Sequence, residues 1–214
     1  PEGAFFDLAS AWLGWDSVAG ERIMQPEVPG LPDTVEALTS TPRKYGFHGT
    51  VKPPFALAEG HSFAELDQAT RAFCAGHEPV VIPKLQLRRV GGFVAVTPSE
   101  PSAALADFAA ATVAALDAFR APPSPVELSL RRQAGLSPRQ ETLLSKWGYP
   151  YVMEEFRFHL TLTGRTGQAD AVCAALEDHF VPALPRPFVI DSLAVMGEDF
   201  DGMFHLIERY ALSG

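Results

Sequence analysis

Two short phrases in this chain carry residues that could do chemistry together: Phe47-His48-Gly49-Thr50-Val51 and Phe158-His159-Leu160-Thr161-Leu162. Both read Phe-His-x-Thr-aliphatic, and roughly half of the 214 residues separate them. On an extended chain, side chains alternate faces, so each phrase presents an imidazole and a hydroxyl on one side. Two imidazoles can divide the work of a proton acceptor and a proton donor, which an in-line displacement at phosphorus places on opposite sides. Two hydroxyls can donate to the charged non-bridging oxygens. His48 and His159 are therefore the catalytic candidates, with Thr50 and Thr161 as substrate-binding partners. Arg157 shares the face of His159, Lys52 follows the first phrase, and Tyr151 lies in a nearby turn; all three are candidate substrate-binding residues. Neither phrase offers a third ligand at the spacing a catalytic zinc requires, so no metal and no cofactor are expected. The reaction expected from the residues is metal-free hydrolysis of a phosphodiester, with a phosphoric diester hydrolase as the enzyme class. Which histidine is acid and which is base stays open at this point.

The elements that would position these residues follow from periodicity. From Phe156 to Thr163 apolar and polar residues alternate without a break, which reads as a strand with a core face and a cleft face. The first phrase reads as a strand stopped by Pro53-Pro54. Phe47, Val51, Phe156, Phe158, Leu160 and Leu162 should be buried behind the polar face. After each phrase comes a helical stretch, Phe63 to Ala75 and Ala169 to Phe180, the first with Phe63, Leu66, Ala69 and Phe73 as its apolar stripe. Then Pro79-Val80-Val81-Ile82 is matched by Pro187-Phe188-Val189-Ile190, each followed by two more strand-like runs. Strand, helix, strand, strand thus occurs twice. The expected fold is α+β and bilobal, with pseudo-twofold duplicated lobes whose antiparallel sheets surround a central cleft. Lobe one covers about 40–100 and lobe two about 152–214, with a connecting helix and insertion over about 101–151 and an N-terminal helical region packed on the lobes. Within the connection, Ala103 to Phe119 reads as one helix, and Ser137-Pro138 as a helix start. Gly148-Tyr149-Pro150-Tyr151 reads as a turn.

Composition narrows the classes. With 47% hydrophobic and 20% charged residues, the chain can build an ordinary globular core as a single domain. No run of about 18 apolar residues suggests a membrane span, and no basic-then-apolar leader is visible at Pro1. Cys74 and Cys173 fall on the apolar side of expected helices and read as buried thiols in a reducing, cytoplasmic setting. A net charge of −9 disfavours long nucleic acid as a partner while leaving room for a local positive pocket. The expected partner is a small phosphorylated molecule, and the oligomeric state stays open.

The paired His-x-Thr-aliphatic phrases resemble the 2H phosphoesterase superfamily. More narrowly, the run from Lys44 to Phe55, the run from Phe156 to Thr163, Trp12-Leu13-Gly14 and Trp147-Gly148-Tyr149-Pro150 are similar to an uncharacterised branch encoded beside phosphonate-degradation genes. The resemblance implies a bilobal fold, metal-independent two-histidine hydrolysis of a small cyclic phosphodiester and a place in phosphonate metabolism. It also implies an opening strand ahead of Trp12, whereas little precedes Phe5-Phe6 here. Two other functions fit less of the sequence. An RNA 2′,3′-cyclic phosphodiesterase or 2′-5′ RNA ligase-like enzyme would use the same histidines. A non-catalytic nucleotide-binding module would need more stacking aromatics than Tyr45, Trp147, Tyr149 and Tyr151 supply.

Overall fold

The computed structural model describes residues 3–214. In chain order the regular elements begin with α1 (Ala4–Leu13), β1 (Trp15–Asp16), β2 (Glu21–Arg22), α2 (Val35–Thr39) and α3 (Phe63–Ala75). They continue with β3 (Val80–Ile82), β4 (Leu85–Val90), β5 (Phe93–Pro98), α4 (Ala103–Ala115), α5 (Pro125–Arg132) and α6 (Pro138–Trp147). The last are β6 (Leu160–Thr161), α7 (Ala169–Ala175), α8 (Glu177–Phe180), β7 (Phe188–Ile190), β8 (Ser192–Glu198) and β9 (Phe204–Ala211). The fold is mixed α+β with small sheets: β4-β5-β6 runs antiparallel, β1 pairs with β2 antiparallel, β3 pairs with β7, and β8 with β9.

The chain divides into two compact units, each drawing on both halves of the sequence. The first takes the chain through Gly49, Val81–Pro101 and Phe158–Arg209; the second takes Thr50–Val80, Ser102–Arg157 and Tyr210–Gly214.

In the first unit, α1 is the anchor. Trp12 and Leu13 are fully buried, and the Trp12 Nε1–H donates to the Leu162 carbonyl at 2.7 Å. Phe180 meets the Trp12 ring edge-on, with centroids 6.0 Å apart. β5 runs through the core with Val94, Ala95 and Val96 at 0% exposure, because it is paired on both edges. The expected continuous helix from Ala169 to Phe180 is interrupted at Leu176, where α7 ends and α8 begins.

The second unit is mostly helical. α3 starts in a capping box, the Ser62 hydroxyl accepting from Glu65 N–H while the Glu65 carboxylate accepts from Ser62 N–H. Its extent matches the sequence reading, and its buried face does so at Leu66 and in part at Ala69, but not at Phe63. Leu66, Thr70 and Cys74 turn inward, while Phe63 is 43% exposed. Thr70 could take an inward position because its hydroxyl donates to the Leu66 carbonyl and leaves no polar atom unsatisfied. Leu66 packs with Leu116, Phe119 and Phe55. A second cluster joins Val113, Leu143 and Val152, with Trp147 and Tyr149 against it. The helix expected from Ala103 to Phe119 ends at Ala115, and a 3-10 turn covers Asp117–Phe119. Both thiols are free; Cys74 is buried and Cys173 only partly so. Among the described residues, no helix is long and apolar enough to cross a membrane.

Candidate active site

Neither histidine phrase is the full strand that alternation predicts. The first sits between a 3-10 helix (Pro42–Tyr45) and Pro53-Pro54, and among the described residues it pairs through a single bridge from Gly49 to Leu160. Gly46 leads into it at φ +67°, where an added Cβ would lie 2.8 Å from Ser17 Cβ, so this turn requires glycine. The second phrase is a strand only at Leu160–Thr161. Beyond Thr161 the ladder breaks, as Leu162 N–H and Thr163 N–H both donate to the Val94 carbonyl, at 3.0 and 3.2 Å. The Thr163 hydroxyl then accepts from Val94 N–H at 2.9 Å, standing in for a backbone carbonyl. That is why Thr163, expected on the open face, is 1% exposed.

The core side of both phrases is closely held. Phe47 is 2% exposed, with the Phe5 ring edge-on at 5.2 Å. Phe158, Leu160 and Leu162 are buried, while Val51 and Phe156 are only partly so, because they lie where the pairing has already ended. Gly49 lets the two phrases approach, since a Cβ there would fall 2.5 Å from ring atoms of Phe158.

His48, His159 and Thr161 all belong to the first unit. His48 Nδ1 lies 3.0 Å from the Gly46 carbonyl oxygen. A carbonyl can only accept, so this bond puts the proton on Nδ1 and leaves Nε2 as the acceptor of the neutral ring. Burial pushes the His48 pKa below the usual 6.5, the Gly46 bond opposes this, and the nearby His159 charge lowers it further. The charge of His159 is thus felt at His48. Tyr45 leans on His48 with ring centroids 6.2 Å apart, and Phe93 meets the His159 ring at 5.7 Å.

A cavity of about 90 Å³ opens beside His48, lined by Thr41, Pro42, Tyr45, Gly46, Thr161 and Thr163 as well. No carboxylate lines it, and hydroxyls do, which suits an anion. Pockets that enclose whole small-molecule ligands run to about 300–1,000 Å³, so this one fits a phosphoryl-sized group rather than a nucleotide. Thr41 was not singled out from sequence, whereas Thr163 was visible two residues beyond Thr161, and Tyr45 two before Phe47.

The remaining candidates fall in the second unit. Thr50 is exposed at its opening. The Lys52 ammonium lies 3.2 Å from the Val113 carbonyl and 3.5 Å from an Asp117 carboxylate oxygen. Arg157 donates to the carbonyls of Glu154 and Phe156, both at 2.7 Å. Tyr151 is 42% exposed and meets Tyr149 edge-on. Among the described residues, no group of three or more His, Cys, Asp and Glu is placed to hold a metal ion.

Comparison with known proteins adds a family and two relatives. The family described as "Protein of unknown function (DUF1045)" matches residues 50–205. A protein of Janthinobacterium sp. (strain Marseille) named ribose 1,5-bisphosphate phosphokinase PhnN is 39% identical over 200 residues, covering 90% of this chain and 44% of the relative. A protein of the same name from Laribacter hongkongensis (strain HLHK9) is 34% identical, covering 92% of this chain and 46% of the relative. The chain thus spans under half the length of these curated relatives. Their name describes a transferase of phosphoryl groups. It corrects the expected class of phosphoric diester hydrolase, and the labels hydrolase and phosphodiesterase go with it. The physical reason is that an acid/base pair beside hydroxyl donors marks a phosphoryl group without specifying what receives it. With a matched region covering most of its length and two relatives above 30% identity, the chain belongs to the DUF1045 family.

Proposed function

We propose that the first unit binds the phosphoryl group of a small phosphorylated sugar and moves protons at it. In this reading His48 Nε2 is the proton acceptor and His159 the donor, and Thr161 donates a hydrogen bond to a phosphoryl oxygen. The observation that carries the reading is the cavity beside His48, lined by Thr161 and Thr163 and free of carboxylates, with the charge of His159 felt at His48. The ribose 1,5-bisphosphate in the relatives' name supports the ligand class. The resemblance of the paired phrases to 2H phosphoesterases supports the pairing of the histidines and a setting in phosphonate metabolism. The kinase activity in the relatives' name stays a statement about them, because the chain spans under half of their length.

The test is calorimetric titration of the chain with ribose 5-phosphate and ribose 1,5-bisphosphate. A hydrogen bond to a charged oxygen contributes about 1.5–3 kcal/mol, so Thr161→Val should weaken binding by roughly 10- to 100-fold. His159→Ala should weaken it comparably by removing the imidazole donor. Unchanged affinity in both variants would remove the site assignment.

A further inference from the structure

The second unit contains a groove that the two-histidine reading does not use. Its volume is about 380 Å³, within the range of small-molecule sites. One wall is α5 and the residues just after it, with Glu127, Leu130 and Arg131; the other is Tyr149, Pro150 and Tyr151. α5 buries none of its own residues and leaves Leu130 60% exposed. It is held in place at its ends. Ser124 and Glu127 cap its start, and Arg132 pairs with Glu141 of α6. The Tyr149 and Tyr151 rings meet edge to face at 5.7 Å, so their faces point in nearly perpendicular directions. The Arg131 guanidinium lies 4.6 Å from the centre of the Tyr149 ring.

Arg131 differs from the nearest arginines in its charge partners. Its neighbours Arg132 and Arg139 are paired with Glu141 and Glu154. Among the described residues Arg131 makes no ion pair, as several other cations do not, and only the Glu127 carboxylate one turn earlier in α5 feels its charge in the groove. A cation laid on an aromatic face, beside a half-exposed aromatic ring and an apolar wall, asks for a ligand that is both flat and anionic.

We infer that this groove binds a nucleotide, the base stacking on Tyr151 between Leu130 and Pro150, and the phosphate meeting Arg131. The guanidinium keeps edge N–H donors for phosphate while its face rests on Tyr149. Base–aromatic stacking is tolerant of base identity, so the groove should select the class rather than one nucleobase.

The experiment titrates the whole chain with AMP, adenosine and ribose 5-phosphate by calorimetry, with ligand-observed NMR to report contact at the base protons. AMP should bind, and Tyr151→Ala should weaken it about tenfold or more while Tyr151→Phe retains it. Arg131→Gln should weaken AMP to the level of adenosine and leave adenosine itself unchanged. Circular dichroism should be unaltered in each variant, because both side chains line the surface. Absence of AMP binding at millimolar concentration would overturn the inference. So would AMP binding insensitive to both Tyr151→Ala and Arg131→Gln. A chain that dimerises in sedimentation and becomes monomeric on Leu130→Glu would overturn it too, by giving this face to a second copy.

Discussion

At the scale of single residues, the chemistry of the histidines depends on what surrounds each ring. His48 was legible from its repeated phrase, but its tautomer was not, because the Gly46 carbonyl reaches it through a glycine turn that sequence spacing does not reveal. His179 shows the opposite case: it has no partner spacing in the sequence and reads as a structural or surface histidine. It packs between the Trp12 and Phe180 rings, and its Nε2 is buried without a hydrogen-bond partner. Burial lowers its pKa below 6.5. Below that value the unfolded chain takes up a proton that the folded ring resists. Stability should therefore be full above pH 6.5 and decline as pH falls toward the folded value. His48 adds a decline of the same sign. Denaturant unfolding measured between pH 7.5 and 5 checks this, and His179→Leu should flatten the acid slope relative to the parent chain. An identical slope in the variant would show that the acid response comes from elsewhere.

At the scale of elements, the two histidine phrases are held together by close backbone approach rather than by long strands. Period-two alternation correctly identified the buried side of the second phrase, Phe158, Leu160 and Leu162. It overestimated the ladder, because a hydroxyl can replace a carbonyl, as Thr163 does for Val94. Helix ends set by caps were legible, as at Ser62 and Ser137, whereas the break at Leu176 has no capping side chain to announce it. The close approach gives a prediction at Gly49. Ala there would place a methyl 2.5 Å from the Phe158 ring, and overpacking of this kind costs about 1–3 kcal/mol. Gly49→Ala should lower the denaturation midpoint and weaken sugar-phosphate binding together. A stable variant with unchanged binding would mean the phrases need no such contact. Trp12→Phe tests the other anchor. It strands the buried Leu162 carbonyl, for about 1–3 kcal/mol, and opens space beside Phe180. Its effect should appear in unfolding measurements even without ligand.

At the scale of the whole molecule, charge decides which phosphorylated partners are acceptable. A long nucleic acid is held mainly by phosphate contacts to Lys and Arg, each releasing counterions and steepening the salt dependence. This chain carries a net charge of −9, and several of its cations are already committed: Lys52 to Asp117, Arg89 to Asp170, Arg120 to Asp117. A long RNA would meet repulsion over most of the surface, while a small sugar phosphate needs only the hydroxyl-lined cavity beside His48. Fluorescence anisotropy with a labelled 20-nucleotide RNA should therefore show no saturable binding at 50 mM salt. Under the same conditions ribose 5-phosphate should bind with only a shallow salt dependence, set by a single phosphate. If the RNA instead bound tightly, with a slope reporting six or more phosphate contacts, the surface would have to present a basic track that pairing has not consumed. The assignment of the cavity to a small ligand would then give way to recognition of a polymer.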